Sequence, residues 1–294
     1  MTLLACATHV VADLDAAVAR YTAWFDYQVV AQGPLDAELA AAWGAPDSAG
    51  RASAVLQPAS GADTFLRLVE GDRVPGYEPL RTYGWAATEI CVQDVGVVHA
   101  RMTQSPFMVI GQPKPLDGFE MVIPMQVEGP DQEIVYLTEI PEDGSALGLP
   151  VPRGFIDRPF IMVLASADIA ATVVWAREVL GLVVSDPVAI RYTMLIRSFA
   201  LPDEAKTLIA TAGQPGDTVL EFDQYPAAAT VRPCHPGALP PGVAVVTIRH
   251  PDIAQLAGHW ASPPVRRDGA PYGGRLCGVL RSPDGALLEV IDGA

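Results

Sequence analysis

Residues 160–169 have the sequence FIMVLASADI, an apolar run that ends in an aspartate followed by an isoleucine. A short, continuous apolar run is typical of a buried strand. An aspartate at this point is a helix N-cap signal, because its carboxylate accepts hydrogen bonds from the free N–H groups of the first turn. Apolar residues then recur at helical spacing, at Ile169, Val173, Ala176 and Leu180. The stretch therefore predicts a strand that leads directly into a helix.

The same pattern occurs at residues 5–14, 87–95 and 244–253, so the chain contains an internal repeat. Each predicted helix is followed by three strand-like runs, most clearly at 107–110, 121–127 and 134–138, with Gly, Pro and Asp in the turns between them. Each repeat is therefore a βαβββ module. The module limits fall near residues 1–75, 76–148, 154–228 and 229–294.

One βαβββ module leaves a face of its sheet uncovered, so two modules must combine into a curved, eight-stranded sheet around a cup. Four modules predict an α+β fold with two such mixed sheets. We expect modules one and two to form an N-terminal domain over residues 1–148, and modules three and four a C-terminal domain over 154–294. The Pro- and Gly-rich stretch 148–154 is the predicted linker. Pairing of module one with module four is the alternative, and it would mix the residues of the two cups.

The amino-acid composition argues against some classes of binding partner. Half of the residues are hydrophobic and 18% are charged, which is enough apolar material for packed cores. The net charge of −15 argues against nucleic acid and anionic membranes as partners. The four cysteines form no CxxC pair, and no apolar run reaches the roughly 18 residues of a membrane span. We expect a bacterial, cytoplasmic protein that binds an apolar or aromatic small molecule, with a homodimer left open.

Three stretches carry a family resemblance: VVADL at residues 10–14, the cap and helix over 168–182, and PDGALLEV at 283–290. Together with the four ordered repeats, they make nearly the whole chain similar to the vicinal oxygen chelate superfamily. That superfamily includes glyoxalases, bleomycin resistance proteins and extradiol dioxygenases. In its metal-using members, the resemblance implies, a histidine on the opening strand of a module and a glutamate on a last strand bind a divalent ion in the cup.

The residues at these ligand positions depart from the superfamily pattern. The opening-strand position, seven residues before each capping aspartate, is occupied by Cys6, Ala87, Ile161 and Val245. The last-strand position is occupied by Arg67, Tyr136, Glu221 and Glu289. Two carboxylates without imidazole are a poor site for Fe(II), Zn(II) or Ni(II), so we expect no cofactor. A divalent metal held by Glu221 and Glu289 is the alternative.

Two histidines need separate treatment. His9 is an odd number of positions from Cys6, so strand alternation turns it toward the helix layer rather than into the cup. His235 lies in the loop sequence PCHPG and is a candidate substrate-binding residue, because loops commonly carry function.

Strand alternation also predicts which side chains point into the cups. Glu89, Arg67 and Tyr136 are the candidate catalytic residues of the N-terminal cup: a base, a cation for a developing oxyanion and a phenol donor. In addition to His235, the candidate substrate-binding residues are Cys6, Thr8, Cys91, Thr247 and Arg249. The alternative for Arg67 and Glu89 is a purely structural internal ion pair, since buried charges are normally paired.

Three functions are consistent with these features. The first is a metal-independent enzyme of the lyase or isomerase type, acting by acid–base chemistry on an apolar or aromatic small molecule. The second is a non-catalytic protein that sequesters such a molecule. The third is a glyoxalase- or dioxygenase-like metal enzyme with a site rebuilt at Glu221 and Glu289.

Overall fold

The computed structural model describes residues 2–141 and 148–293 and contains four βαβββ modules, as the repeats predict. Module one comprises β1 (Leu4–Val11), α1 (Leu14–Phe25), β2 (Tyr27–Pro34), α2 (Ala37–Ala42), a 3-10 helix (Pro46–Ser48), β3 (Ala52–Pro58) and β4 (Phe65–Glu70). Module two comprises β5 (Gly84–Val92), α3 (Val95–Met102), β6 (Met108–Gly111), β7 (Ile123–Glu128) and β8 (Ile134–Glu139).

Modules three and four repeat this order with different insertions. Module three comprises β9 (Ile156–Ser166), α4 (Ile169–Glu178), β10 (Val183–Val184), β11 (Val188–Ile190), α5 (Thr193–Ser198), β12 (Thr207–Gln214) and β13 (Asp217–Gln224). Module four comprises β14 (Gly242–His250), a 3-10 helix (Ile253–Leu256), β15 (Ser262–Arg267), β16 (Arg275–Arg281) and β17 (Leu287–Asp292). In the described residues, none of the helices is long and apolar enough to cross a membrane.

The four predicted capping aspartates accept hydrogen bonds from first-turn N–H groups, as expected. The helix predicted after Asp252 is wrong, because the chain makes only a single 3-10 turn there. Gly258, with φ of +90°, follows that turn and directs the chain away from a helical path.

The modules pair differently from our expectation. Modules one and four form the first sheet, with strand order β15-β16-β17-β14-β1-β4-β3-β2. Modules two and three form the second sheet, with order β10-β12-β13-β9-β5-β8-β7-β6 and β11 added beside β12. The opening strands join antiparallel, β1 to β14 and β5 to β9. The predicted pairing of one with two and three with four is therefore wrong, and each cup takes residues from both halves of the chain. The predicted domains 1–148 and 154–294, as separate folding units, stay a prediction.

The two sheets share one hydrophobic core on the faces opposite their cups. That core contains residues of both sheets and of helices α1, α3 and α4. His9 lies within it, and its Nε2 and Nδ1 atoms contact the Thr88 hydroxyl at 2.7 Å and the Tyr21 hydroxyl at 3.3 Å. Burial lowers the pKa of His9 to about 3. His9 thus points away from the cup, as its position on the strand predicts.

Modules one and two, like modules three and four, lie in different sheets, and a turn of one module contacts the other. Asp131, in the turn before β8, accepts a hydrogen bond from Ala12 N at 2.9 Å and forms an ion pair with Arg20 of α1. Asp284, in the equivalent turn before β17, accepts from Ala167 N at 3.0 Å. The two sheets are therefore held together by backbone-capping contacts as well as by the shared core.

Candidate active site

The second sheet surrounds an open cavity of about 480 Å³. Strands β5, β8, β9, β12 and β13 provide its floor and walls. Its apolar lining residues include Leu149, Phe160, Ile161, Ile190 and Ile209. A pocket of this volume, mostly apolar with a few polar groups, is typical of small-molecule sites.

Two carboxyl groups on the sheet, Glu89 and Glu221, face this cavity, and the exposed Asp117, between β6 and β7, also lines it. Glu89 is on β5, opposite Tyr136 of β8 and Ile161 of β9. Thr138, also on β8, donates a hydrogen bond to Glu89 Oε1. Glu221 is on β13, where it pairs in register with Val163 of β9. The antiparallel β5–β9 junction between modules two and three thus brings carboxyl groups from both halves of the chain to one site.

The protein holds both carboxyl groups toward their neutral forms. Burial raises the pKa of Glu89 to about 8; the charge of Glu221 adds to this, and the Thr138 hydrogen bond opposes it. Burial also raises the pKa of Glu221 well above its usual range, and Asp223 adds to it by charge and hydrogen bonding. Burial raises the pKa of Asp223 to about 8. The three carboxyls therefore interact, and each stays protonated to a higher pH than an ordinary carboxyl group does.

Two phenols also line the cavity. The hydroxyls of Tyr136, on β8, and Tyr192, directly before α5, lie 2.6 Å apart. Both rings are buried and both line the cavity. Burial raises the pKa of each phenol well above its usual range, so both remain protonated hydrogen-bond donors.

Two insertions from opposite modules cover the cavity. Residues 112–122, between β6 and β7, form a strap with two prolines, Pro113 and Pro115. Helix α5 lies on the other side and contributes Thr193 and Arg197 to the lining. Arg197 Nη1 donates to the carbonyl oxygen of Ile110 at 3.0 Å, which connects α5 with the end of β6 beside the strap.

The corresponding space in the first sheet is filled by its own side chains. Glu289, fully buried, accepts hydrogen bonds from Trp43 Nε1 at 3.1 Å, the Thr247 hydroxyl at 2.8 Å and the Tyr272 hydroxyl at 3.1 Å. The Arg67 guanidinium carbon lies 5.3 Å from the Trp43 ring centre and 5.2 Å from that of Tyr272. Burial by itself lowers the pKa of Arg67, but Tyr272, Cys6 and Glu289 outweigh it and raise the pKa.

The structure brings together some of the predicted site residues and separates others. Glu89 and Tyr136 share the open cavity with Glu221, whereas Arg67 lies in the filled cup of the other sheet. The predicted internal ion pair between Arg67 and Glu89 is therefore not formed. Glu221 and Glu289 lie in different sheets, so they cannot share a metal ion.

The predicted substrate-binding residues lie outside the open cavity. Cys6, Thr8 and Thr247 are buried in the first sheet. Arg249 is in that sheet too and donates to Asp63 Oδ2 at 2.9 Å and to the carbonyl oxygens of Thr2 and Leu4 at 3.0 Å.

Two further candidates also lie away from the open cavity. Cys91 is buried on β5 with its sulfur 3.5 Å from the Arg158 carbonyl oxygen. The exposed His235 contacts the Arg73 carbonyl oxygen at 3.1 Å.

Sequence reasoning missed Tyr192 and Asp223 as site residues. The inward positions of β13 offered a signal for Asp223, because it is two residues from Glu221 and therefore has the same strand parity. Tyr192 had no comparable signal, since it lies between β11 and α5 and reaches the cavity only through the path of that insertion.

Solved structures with a similar fold were found, while no family model and no curated protein sequence matches the chain. Glyoxalase I from Zea mays is 16% identical, with a TM-score of 0.63, over 99% of this chain and 92% of the maize chain. A candidate dioxygenase from Bacillus subtilis is 13% identical, with a TM-score of 0.61, over 99% of this chain and 85% of that one. The chain has the vicinal oxygen chelate fold.

The metal-ligand positions that the resemblance implies are, for the open cup, Ala87, Ile161, Tyr136 and Glu221. These residues do not fit the superfamily's metal, because only one of the four is a carboxylate and none is an imidazole. Within residues 2–141 and 148–293, no group of three or more His, Cys, Asp or Glu side chains is placed to hold an ion. The absence of a cofactor stays a prediction.

Proposed function

We propose that this chain is an enzyme of the lyase or isomerase type that acts on an apolar or aromatic small molecule in the cavity of the second sheet. The observation that carries the proposal is that two carboxyl groups, Glu89 and Glu221, face one largely apolar cavity and that, among the residues the structure describes, neither forms an ion pair. Buried charges are normally paired, and an unpaired pair of carboxyls in a cavity is a functional rather than a stabilising feature.

The two carboxyls suit different roles. Thr138 donates a hydrogen bond that favours the ionised form of Glu89, whereas burial and the neighbouring Asp223 carboxyl favour the protonated form of Glu221, so we assign Glu89 as the base and Glu221 as the acid. The Glu89 carboxylate would take a proton from a carbon next to a carbonyl group. Glu221 would donate to the oxygen on which negative charge develops.

The reaction then has two outcomes that conserve atoms and electrons. If the Glu89 carboxyl returns its proton to a different carbon, the product is an isomer. If a group on the neighbouring carbon leaves with the electron pair, the product is an alkene, as in a lyase. Tyr136 and Tyr192 supply a hydroxyl pair that can orient a polar atom of the ligand. Neither route passes through a metal.

The experiment uses nitrobenzisoxazole, a neutral aromatic probe whose ring opens when a base removes its carbon-bound proton and the N–O bond breaks. We expect the protein to accelerate ring opening, with a rate that rises up to about pH 8 as Glu89 ionises. Glu89→Gln should lower the rate at least about ten-fold, since a general base contributes on this order or more.

Glu133→Gln is the matched control. Glu133 is a buried carboxyl whose pKa burial raises to about 7, but it lies in the turn before β8, outside the cavity lining. Its substitution should leave the rate unchanged. Suppose that the protein binds the probe and that the Glu89→Gln variant opens the probe's ring as fast as the unaltered protein does. The acid–base proposal is then wrong, and sequestration of the ligand is supported instead. Loss of the rate on treatment with a chelator would favour a metal enzyme.

A further inference from the structure

Three basic side chains, Lys114, Arg191 and Arg197, line the cavity together with the carboxyls. They occupy its outer part, because Lys114 and Arg197 are exposed and Arg191 is partly exposed, while Glu89 at the floor is buried. Lys114 belongs to the strap, and Arg191 and Arg197 lie just before and within α5. Both covering insertions therefore place cations at the mouth.

The acidic groups nearby leave part of this charge uncompensated. Lys114 Nζ lies 3.8 Å from Asp117, and Arg191 pairs with Asp203, which is 84% exposed and does not line the cavity. Within the described part of the chain, Arg197 has no carboxylate partner and donates to the Ile110 carbonyl oxygen. Asp117 lines the cavity as well, so Arg197 is the group at the mouth that can attract an approaching anion to a chain whose net charge is −15.

The cavity behind the mouth has the opposite character. Its walls carry Phe160, Ile161 and Ile209, and its two carboxyls are held toward the neutral form by burial. An ionised ligand group would therefore not be stabilised at the floor, whereas an apolar or aromatic body would be.

We propose that the ligand is an amphipathic organic anion, with an apolar or aromatic body at the floor beside Glu89 and Glu221 and one acidic group at the mouth, bound by Arg197 with Arg191 and Lys114. This inference names the substrate class of the proposed active site and rests on that proposed function. Arginine suits the role because its planar guanidinium can bind a carboxylate, sulfonate or phosphate through two parallel hydrogen bonds.

Two fluorescent probes that share one aromatic body test the proposal. Anilinonaphthalene sulfonate carries an anionic group, and N-phenylnaphthylamine is its neutral counterpart. We expect the anionic probe to bind more tightly, and its Kd to rise with ionic strength while that of the neutral probe stays constant. Arg197→Gln should weaken the anionic probe about ten-fold, as expected for loss of a charge-assisted contact, and leave the neutral probe unchanged.

Two further variants make the outcomes distinct. Arg51→Gln removes an exposed arginine that pairs with Asp72 in module one, and it should change neither Kd. Ile161→Trp fills the floor of the cavity and should abolish binding of both probes, in protein whose cooperative unfolding shows that it is folded. Binding that survives Ile161→Trp would place the probes elsewhere and overturn the assignment.

The remaining outcomes separate this inference from the proposed function. One outcome is that both probes bind in the cavity with equal affinity and that Arg197→Gln either changes neither Kd or changes both equally. The anionic ligand class is then excluded, whereas binding of a small molecule in the cavity is still supported. If neither probe binds, both the ligand class and the apolar-ligand site are wrong. If the anion dependence holds but Glu89→Gln has no effect on ring opening, the ligand class stands and the acid–base chemistry fails.

Discussion

Equivalent positions on the last strands carry different chemistry in the two cups. In the first sheet these residues are Arg67 and Glu289, which are opposite in sign and surrounded by hydrogen-bond donors and aromatic rings. In the second sheet they are Tyr136 and Glu221, and the additional carboxyl of Glu89 accepts a hydrogen bond from Thr138. The first cup brings together buried groups of opposite charge, although Arg67 Nη1 has no hydrogen-bond partner in the described residues, whereas the buried charges of the second cup are all carboxyls. The difference between a structural and a candidate catalytic cup thus lies in a few side chains.

The carboxyls of the open cup predict a particular pH dependence of stability. Glu89 has an unperturbed pKa of 4.5 and a folded-state pKa of about 8, so its contribution is fully present below about pH 4.5 and is lost as the pH rises through about 8. His9 acts in the opposite direction, since its lowered pKa of about 3 favours the folded state above its usual value of 6.5. Comparison of variants is needed to separate the two.

Glu89→Gln should therefore gain stability relative to the unaltered protein as the pH rises from about 5 to about 9, because the variant has no proton to lose. Urea unfolding at several pH values measures this difference. Asp72→Asn, which changes an exposed carboxylate, is the control and should run parallel to the unaltered protein. Parallel curves for Glu89→Gln itself would show that the pKa of Glu89 is not raised by folding.

At the scale of elements, insertions decide which cup is open. Helix α2 in module one follows β2, the first strand after α1, and α5 in module three follows β10 and β11, the two short strands after α4. The α2 segment places Trp43 against Glu289 and Arg67, and Tyr272 from module four fills the remaining space. The α5 segment instead supplies Tyr192 and stops at the cavity wall. The side chains of the α2 segment and of module four fill the cup of the first sheet. The α5 segment does not fill the cup of the second sheet, which therefore has space for a ligand.

The turns that connect modules of one half predict a stability effect of their own. Asp131 accepts from Ala12 N and pairs with Arg20 at a site where its side chain is 6% exposed. Asp131→Ala should lower the free energy of unfolding by about 1–3 kcal/mol, because the largely buried Arg20 guanidinium loses its charged acceptor and the Ala12 N–H group loses its hydrogen bond.

Urea unfolding also measures this change. Asp72→Ala is the matched control, since it removes the exposed partner of Arg51 and such surface pairs contribute at most about 1 kcal/mol. Equal effects of the two substitutions would mean that the turn does not fasten module two to module one.

At the scale of the whole molecule, the pairing of modules makes the two halves interdependent. The first sheet joins β1 to β14, and the second joins β5 to β9, so both junctions connect the N-terminal half to the C-terminal half. The shared core between the sheets adds contacts from both. Neither half contains a complete cup.

Separate production of residues 1–148 and 149–294 tests this interdependence. We expect neither piece alone to bind N-phenylnaphthylamine or to unfold cooperatively, because each exposes the edges and apolar faces of two half-sheets. Mixed or co-produced pieces should recover both properties. Cooperative unfolding of either piece on its own would instead support the predicted domains 1–148 and 154–294.

Local patterns in the sequence were enough to predict the repeat, the capping aspartates, the orientation of His9 and the lack of imidazole at the expected ligand positions. Each of these depends on local spacing, on helix capping and on the two-residue period of a strand, which a chain carries wherever it folds. Strand alternation also placed Glu89 and Tyr136 among the inward-facing residues. The sequence did not predict which residues Glu89 and Tyr136 contact.

Which modules share a sheet depends on the tertiary structure. The same pairing determines which residues come into contact. All four opening strands are apolar, so each is suited to pair with any of the others, and local patterning contains no preference among them. The assembled core selected β5 with β9, which placed Glu89 beside Glu221 and removed Arg67 to the other cup. The paths of α2 and α5 then filled one cup and left the other open, because packing between distant segments, unlike a strand's periodicity, depends on where the whole chain goes.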